Sequence, residues 1–350
     1  MATSRNNFKE YLRTERQEIL KKLGQPAFRE KQIFDWICKG VLSFDAMSNL
    51  PKSLREELSD EYIFESVKVE LVQTSKDGTR KYLLKLTDYN YVEAVFMKYE
   101  YGNTLCISTQ VGCNMGCVFC ASGIGGKVRD LEAWEMLDEY LICRNDAGED
   151  INHIVLMGMG EPLDNYDNVS GFLKLIHDPE GVGLSYRNIT VSTSGLIKKL
   201  RIFSEDFPQV NIAISLHSPY QDEREKLMPV SKSNKLPELI AACREISEKN
   251  RRRITFEYAL IEGKNDRTED AEALARLLSG MLCHVNLIPL NPVVENNMSG
   301  STREKAQLFA SKLEKLGIPA TVRRSLGQDI DAACGQLRKK IGRASCRERV

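Results

Sequence analysis

The sequence predicts an α/β protein: a partial, open parallel (β/α)6 barrel, preceded by a helical N-terminal domain and a small β meander. Three observations carry that expectation. From residue 104 onward, apolar runs that suit buried strands alternate with amphipathic stretches, and such alternation builds βαβ units around a parallel sheet. About six units can be counted, too few to close an eight-stranded barrel. Ahead of them, residues 1–65 carry apolar residues at helical spacing, and residues 66–103 carry short β-prone runs between turn residues.

The elements follow in order. Phe28 to Lys39 and Leu50 to Leu58 read as helices of the N-terminal domain. Gly24-Gln25-Pro26-Ala27 leads into the first, where proline ahead of the opening turn is a start signal. Asn49-Leu50-Pro51 breaks the chain before the second. Val67 to Val72, Thr79 to Leu86 and Tyr91 to Lys98 read as strands, parted by Lys76-Asp77-Gly78 and Asp88-Tyr89-Asn90. Barrel strands are expected at Thr104 to Ser108, Asn152 to Met157, Asn188 to Ser192, Asn211 to Leu216, Ile254 to Leu260 and His284 to Ile288. Helices are expected at 131–145, 167–177, 236–249 and 268–281. A helix at 301–316 and a strand at 318–323 extend the series, so the barrel domain runs over residues 104–341. Residues 342–350 show no apolar periodicity and read as a disordered or foreign tail, and Cys346 within it has no expected role.

Composition narrows the class. The 350 residues are 42% hydrophobic and 28% charged, enough for a large domain and a smaller module. Lysine plus arginine equals aspartate plus glutamate at 49 each, so any nucleic-acid binding must come from local patches rather than overall charge. The candidates are Arg29 and Lys31, Arg251 to Arg253, Arg323-Arg324 and Arg338-Lys339-Lys340. No run of 18 apolar residues and no signal-like start appear, so no membrane partner is expected. Ten cysteines in such a chain point to reduced thiols in the cytoplasm.

The densest chemistry lies in Cys113-Asn-Met-Gly-Cys117-Val-Phe-Cys120. Three thiolates spaced CxxxCxxC can hold three corners of a [4Fe–4S] cube and leave the fourth iron open for the amino and carboxylate groups of S-adenosylmethionine. A structural zinc site needs a fourth ligand, and the nearest histidine is His153. The loop follows the first barrel strand, and sites in parallel α/β barrels form at the carboxyl ends of strands. The same rule selects Met157-Gly158-Met159-Gly160-Glu161-Pro162, Ser192-Thr193-Ser194-Gly195, Ser215-Leu216-His217-Ser218 and Asn291-Pro292. Glycines there admit a ligand close to the backbone. Glu161, the serines and Asn291 could hydrogen-bond an amino group, a ribose and a carboxylate. Cys38, Cys143, Cys243 and Cys283 read as core residues, whereas Cys334 lies among small residues in a loop. Taken alone, His217 also fits a structural histidine, Cys106 a buried strand cysteine and Glu93 a solvent-facing strand residue.

Together with Asp329-Ile-Asp-Ala-Ala-Cys334-Gly-Gln-Leu337, these motifs resemble the radical S-adenosylmethionine RNA adenine methyltransferases, from about Phe28 to Lys340. The resemblance implies a radical S-adenosylmethionine barrel with a [4Fe–4S] cluster on Cys113, Cys117 and Cys120. It implies S-adenosylmethionine contacts from Gly160, Glu161, Ser192, Ser215, Leu216, His217 and Asn291. It further implies that Cys334 is S-methylated and then bridges to the base, that Glu93 accepts the ring proton, and that Cys106 frees product through a transient disulfide. A 5′-deoxyadenosyl radical is needed because carbon 2 of adenine and the methyl group of the donor are both electron-poor. The implied reaction is C2 methylation at adenine 2503 of 23S rRNA and adenine 37 of tRNA, by a monomer supplied with electrons by flavodoxin or ferredoxin. A C8-methylating resistance branch is the alternative. Gly160-Glu161-Pro162 and Arg323-Arg324 favour C2, and Ser218-Pro219-Tyr220 leans towards C8. A radical enzyme for peptides or small molecules would not need the pair Cys334 and Cys106, and a zinc-stabilised RNA-binding module would need a fourth ligand.

Overall fold

The computed structural model describes residues 6–291 and 298–337. Its N-terminal helices are α1 (Arg13–Lys22), α2 (Phe28–Cys38) and α3 (Lys52–Glu61). Helix α1 has no counterpart among the expected helices. Its buried positions are Arg16 and Leu20, so a charged residue interrupts what would otherwise be an apolar stripe. Arg16 tolerates full burial because its Nε donates to Glu30 Oε1 at 2.8 Å and its guanidinium lies 3.9 Å over the Phe34 ring. Lys9 Nζ meets Asp138 at 2.9 Å with both side chains buried, which ties this domain to the barrel.

Strands β1 (Lys68–Thr74), β2 (Arg80–Lys85) and β3 (Tyr91–Tyr99) form the expected antiparallel meander. The meander continues into the barrel sheet, because β3 pairs antiparallel with β4 (Gly102–Cys106), placing Val95 opposite Cys106. A short hairpin, β5 (Gln110–Gly112) and β6 (Lys127–Asp130), follows. Then come α4 (Ala133–Ala147), β7 (His153–Leu156), α5 (Tyr166–His177), β8 (Ile189–Thr193), α6 (Ile197–Asp206) and β9 (Asn211–Ser215). The chain continues through α7 (Gln221–Leu227), α8 (Leu236–Asn250), β10 (Ile254–Leu260), α9 (Thr268–Leu278), β11 (Cys283–Pro289), α10 (Arg303–Lys315) and β12 (Ala320–Val322). The sheet order is β1-β2-β3-β4-β7-β8-β9-β10-β11-β12, parallel from β4 onward. The six expected barrel strands are present, and α10 and β12 match the helix and strand expected to extend them. Helices α6 and α7 complete the alternation where the sequence reading placed no helix.

Strand periodicity sorts the two faces of this sheet. On β10, Phe256, Tyr258 and Leu260 are fully buried, with the Tyr258 ring 5.6 Å from that of Phe309 on α10. The alternate residues Glu257 and Ala259 line the interior cavity. Burying a side chain such as Phe256 or Leu260 stabilises by ~1.5–3 kcal/mol, so the outward row anchors the sheet to its helices. The inward row is left for chemistry. Among the described residues, no helix is long and apolar enough to cross a membrane.

Candidate active site

The loop after β4 and the carboxyl ends of β7 to β11 open on one shared cavity. Cys113, Cys117 and Cys120 line it together with Gly160, Glu161, Ser192, Ser215, His217, Asn291 and Cys334. The cysteine loop is closed by the β5–β6 hairpin. Gly112 has φ +78°, and a Cβ there would stand 2.0 Å from the Gly126 carbonyl oxygen, so only glycine lets the strands meet. Burial, with Cys120 nearby, pushes the Cys113 thiol up to about 12, and burial pushes Cys117 up as well. Such thiols keep their protons until a cation replaces them, which is what iron does on binding. Among the described residues, no three histidine, cysteine or acidic side chains converge as a single metal ion would require. A cube makes no such demand, since each thiolate takes a different iron. The donor set is therefore soft, clustered and cavity-facing, and it fits the cluster better than zinc.

The opposite wall is built by strand ends. Gly160 has φ +107° and packs against Gln110, where a Cβ would come within 2.7 Å of that side chain. Glu161 is buried and joins β7 to β8: its Oε2 accepts from the Ser194 N–H at 2.7 Å and its Oε1 from that of Leu163 at 3.1 Å. Burial raises its pKa while these N–H groups oppose the rise. His217 adopts φ +58°, and its Nδ1 accepts from the Ala259 N–H at 2.9 Å. Burial and the Arg224 charge lower its pKa to about 3, so the ring is neutral with its proton on Nε2. Leu216 differs from the expectation. Its side chain is fully buried in the core and off the cavity wall, its N–H donates to Glu257 O, and its carbonyl accepts from Arg224.

Arg224 is the residue that sequence reasoning missed. It is fully buried, and its guanidinium donates to the carbonyls of Ser194 (2.7 Å), Ser215 (3.0 Å) and Leu216 (3.1 Å) and to the Ser231 hydroxyl. One side chain thus locks the ends of β8 and β9 together. In the sequence it stands within Gln221-Asp-Glu-Arg-Glu-Lys-Leu, which resembles any solvated helix. Glu257, which accepts from Asn286 Nδ2 at 2.9 Å, is a second unforeseen wall residue.

Cys334 is exposed and lines both the main cavity and an adjoining smaller one that also contains Cys106, Met157, Arg323, Ala332 and Ala333. Cys106 is buried, and burial pushes its thiol up to about 12. The segment carrying Cys334 is pinned on several sides. Asn291 Nδ2 donates to the Cys334 carbonyl at 3.1 Å, the Ala121 N–H to that of Gly335 at 2.9 Å, and the Ser122 hydroxyl to that of Leu337 at 2.7 Å. Glu93 is 2% exposed, which corrects the solvent-facing alternative. It lies off both cavity walls, on the face of β3 that also carries Val95. Cys143, Cys243 and Cys283 are buried and Cys38 is half-buried.

The basic patches are less free than their sequence suggests. Lys31 pairs with Glu180 and Asp35, Arg252 donates to Asn211, and Arg323 is half-buried at the smaller cavity. Pro292, Arg338-Lys339-Lys340 and residues 342–350 lie outside the described residues.

Residues 107–278 match the Radical SAM superfamily, and residues 6–63 match the ribosomal RNA large subunit methyltransferase N-terminal domain. The chain is 52% identical over 325 residues to the probable dual-specificity RNA methyltransferase RlmN of Alkaliphilus oremlandii, covering 93% of this chain and 95% of that protein. The protein of the same description from Clostridioides difficile is 47% identical over 333 residues, covering 95% and 97%. The crystal structure of a radical SAM methyltransferase from Sphaerobacter thermophilus shares the fold with a TM-score of 0.92 at 41% identity, covering 96% of this chain and 100% of that one. Membership of such a family implies S-adenosylmethionine and a [4Fe–4S] cluster. With identity of this level running through both the N-terminal domain and the barrel, the chain belongs to the RlmN family of radical S-adenosylmethionine RNA methyltransferases.

Proposed function

We propose that this chain methylates carbon 2 of adenine, at adenine 2503 of 23S rRNA and adenine 37 of tRNA, with Cys334 as methyl carrier. The observation that carries the reading is the place of Cys334 on the wall between two cavities. One contains the cysteine loop and the strand-end glycines and serines, and the other contains Cys106. A thiol so placed can take a methyl group on one side and offer it to a base on the other.

Cys113, Cys117 and Cys120 would hold the cluster. Bound there, a [4Fe–4S] cluster supplies the electron that opens S-adenosylmethionine to radical chemistry, which an electron-poor ring carbon requires. Glu161 keeps lone pairs after accepting two N–H groups, enough to take a cofactor ammonium. Gly160 lets the backbone come close, while Ser192, Ser215, the Nε2–H of His217 and Asn291 offer partners for ribose and carboxylate. Leu216 would act through its packing, which shapes the strand end. Glu93 takes the ring proton. Cys106 then bonds to the Cys334 sulfur as the sulfur–carbon bond to the product breaks. The freed methylene takes the Cys106 proton to become a methyl group, and the one electron left over passes to oxidised flavodoxin or ferredoxin. Buried Ala332 and Ala333 crowd the thiol little. Residues 1–65 are assigned to RNA binding, and the enzyme is taken as a cytoplasmic monomer reduced by flavodoxin or ferredoxin.

Mass spectrometry of nucleosides from rRNA and tRNA, after anaerobic incubation with reductant and S-adenosylmethionine, tests the reading. It should show 2-methyladenosine. Finding 8-methyladenosine instead would move the chain to the C8 branch, and unmodified adenosine would refute the activity.

A further inference from the structure

We propose that Lys81 is a positioning residue that holds the Glu93 carboxylate in register with the Cys334 segment. The inference rests on the reading of Glu93 as proton acceptor. Lys81 Nζ lies 3.5 Å from Glu93 Oε1 and donates to the Asp331 carbonyl at 3.3 Å. The two side chains are 10% and 3% exposed. A pair so deeply buried contributes little net stability, because desolvation offsets its attraction. Its presence, with an ammonium that also reaches the Cys334 segment, is better explained by geometry.

The strand register supplies that geometry. Lys81 stands opposite Val95, and Val95 opposite Cys106. Residues directly opposite share a face, and Glu93, two places before Val95 on β3, shares it too. Since β3 runs antiparallel to β4, Glu93 lies beyond the carboxyl end of β4, on the same side as the cysteine loop. Asp331 lies three residues before Cys334. One ammonium therefore touches the carboxylate and the backbone that delivers the carrier thiol.

The same hairpin grips that backbone at neighbouring points. The Ser75 hydroxyl donates to Asp329 Oδ1 at 2.5 Å, the Lys76 N–H to Asp329 Oδ2 at 3.3 Å, and the Gly327 N–H to Asp77 Oδ2 at 2.9 Å. These contacts hold the segment without reaching Glu93. Lys81 contacts both the segment and the carboxylate.

The test uses full-length Lys81→Met, Lys81→Arg and Glu93→Gln enzymes, with RNA carrying either hydrogen or deuterium at carbon 2 of the target adenine. Lys81→Met should lower RNA methylation by about tenfold to a hundredfold, the scale of a misplaced catalytic group. Its deuterium isotope effect should exceed that of the wild type, because ring-proton removal becomes slower. Iron content, and the methyl mass on Cys334 before RNA is added, should stay at wild-type levels. Lys81→Arg, which keeps the charge, should recover most of the rate. A Lys81→Met enzyme with wild-type rate, or with a lowered rate and an unchanged isotope effect, overturns the proposal. Wild-type methylation by Glu93→Gln would instead overturn the reading of Glu93, whatever Lys81→Met does, so the two failures are told apart.

Discussion

The cysteine loop of residues 112–126 and the segment of residues 327–337 present thiols to the same cavity, yet they are held in opposite ways. The loop is largely self-supporting. The Gly126 carbonyl accepts from the Cys113 N–H, the Cys117 carbonyl from that of Cys120, and the Asn114 side chain from that of Lys127. The segment is held mainly from a distance. Ser75, Asp77 and Lys81 grip it from the β1–β2 hairpin, Asn291 from the end of β11, and Ala121 and Ser122 from the cysteine loop itself. Metal binding should thus survive damage to the segment, whereas placement of the Cys334 thiol depends on the whole barrel.

The strongest way to break this contrast is at the thiols. Cys117→Ala should lose both iron and RNA methylation. Cys334→Ala should keep its iron and visible absorption while methylating nothing. Cys106→Ala should also keep iron, but remain joined to RNA through Cys334, giving a species that resists denaturant and yields to nuclease. Iron loss in Cys334→Ala would show that the two regions are not separable. Clean turnover by Cys106→Ala would reduce Cys106 to packing.

A smaller effect is expected at Arg224, which supports the strand-end wall of the cavity and not either thiol region directly. Arg224→Met leaves the carbonyls of Ser194, Ser215 and Leu216 without their buried donor. Orphaned buried groups cost about 1–3 kcal/mol each, and partial relaxation should hold the total near the upper end of that range for one group. Denaturant midpoints give the stability, and equilibrium dialysis should show weaker S-adenosylmethionine binding. Unchanged binding would mean that the ends of β8 and β9 keep their shape without the guanidinium.

The smallest effect concerns the grip on the segment. Burial would raise the Asp77 pKa, but the N–H groups of Gly327 and Thr79 and the neighbouring hydroxyls prevail and hold it at about 2, against an ordinary 3.8. A folded-state value below the unfolded one means that the charged carboxylate stabilises the fold. The contribution is complete above the ordinary value and fades as the pH falls towards 2. Wild-type and Asp77→Ala proteins should therefore differ in stability at neutral pH and converge over that window. At neutral pH the variant should let iodoacetamide reach Cys334 faster, with iron content unchanged. Equal alkylation rates would show that the turn does not restrain the segment.

The barrel strands and the cysteine loop were legible in the sequence for one reason: their information is local. Ile254 to Leu260 announces a buried strand within seven residues, and Cys113 to Cys120 sets three thiols within eight residues. The meander was legible as strands, but its union with the barrel was not, because pairing Val95 with Cys106 is a matter of sheet order. Arg16 and Arg224 defeated the periodicity rule, since an arginine reads as solvent-facing until buried partners such as Glu30 or the strand-end carbonyls are known. Glu93 looked solvent-facing for the same reason, until Lys81 and the cover of the fold made it a buried acid. The sequence by itself determined the strand–helix alternation and the thiol spacing, which depend on neighbours along the chain. Only the tertiary structure decided that Asp77, Asn291 and Ser122 converge on one short segment, because those contacts join residues up to 250 positions apart and arise only when the sheet has assembled.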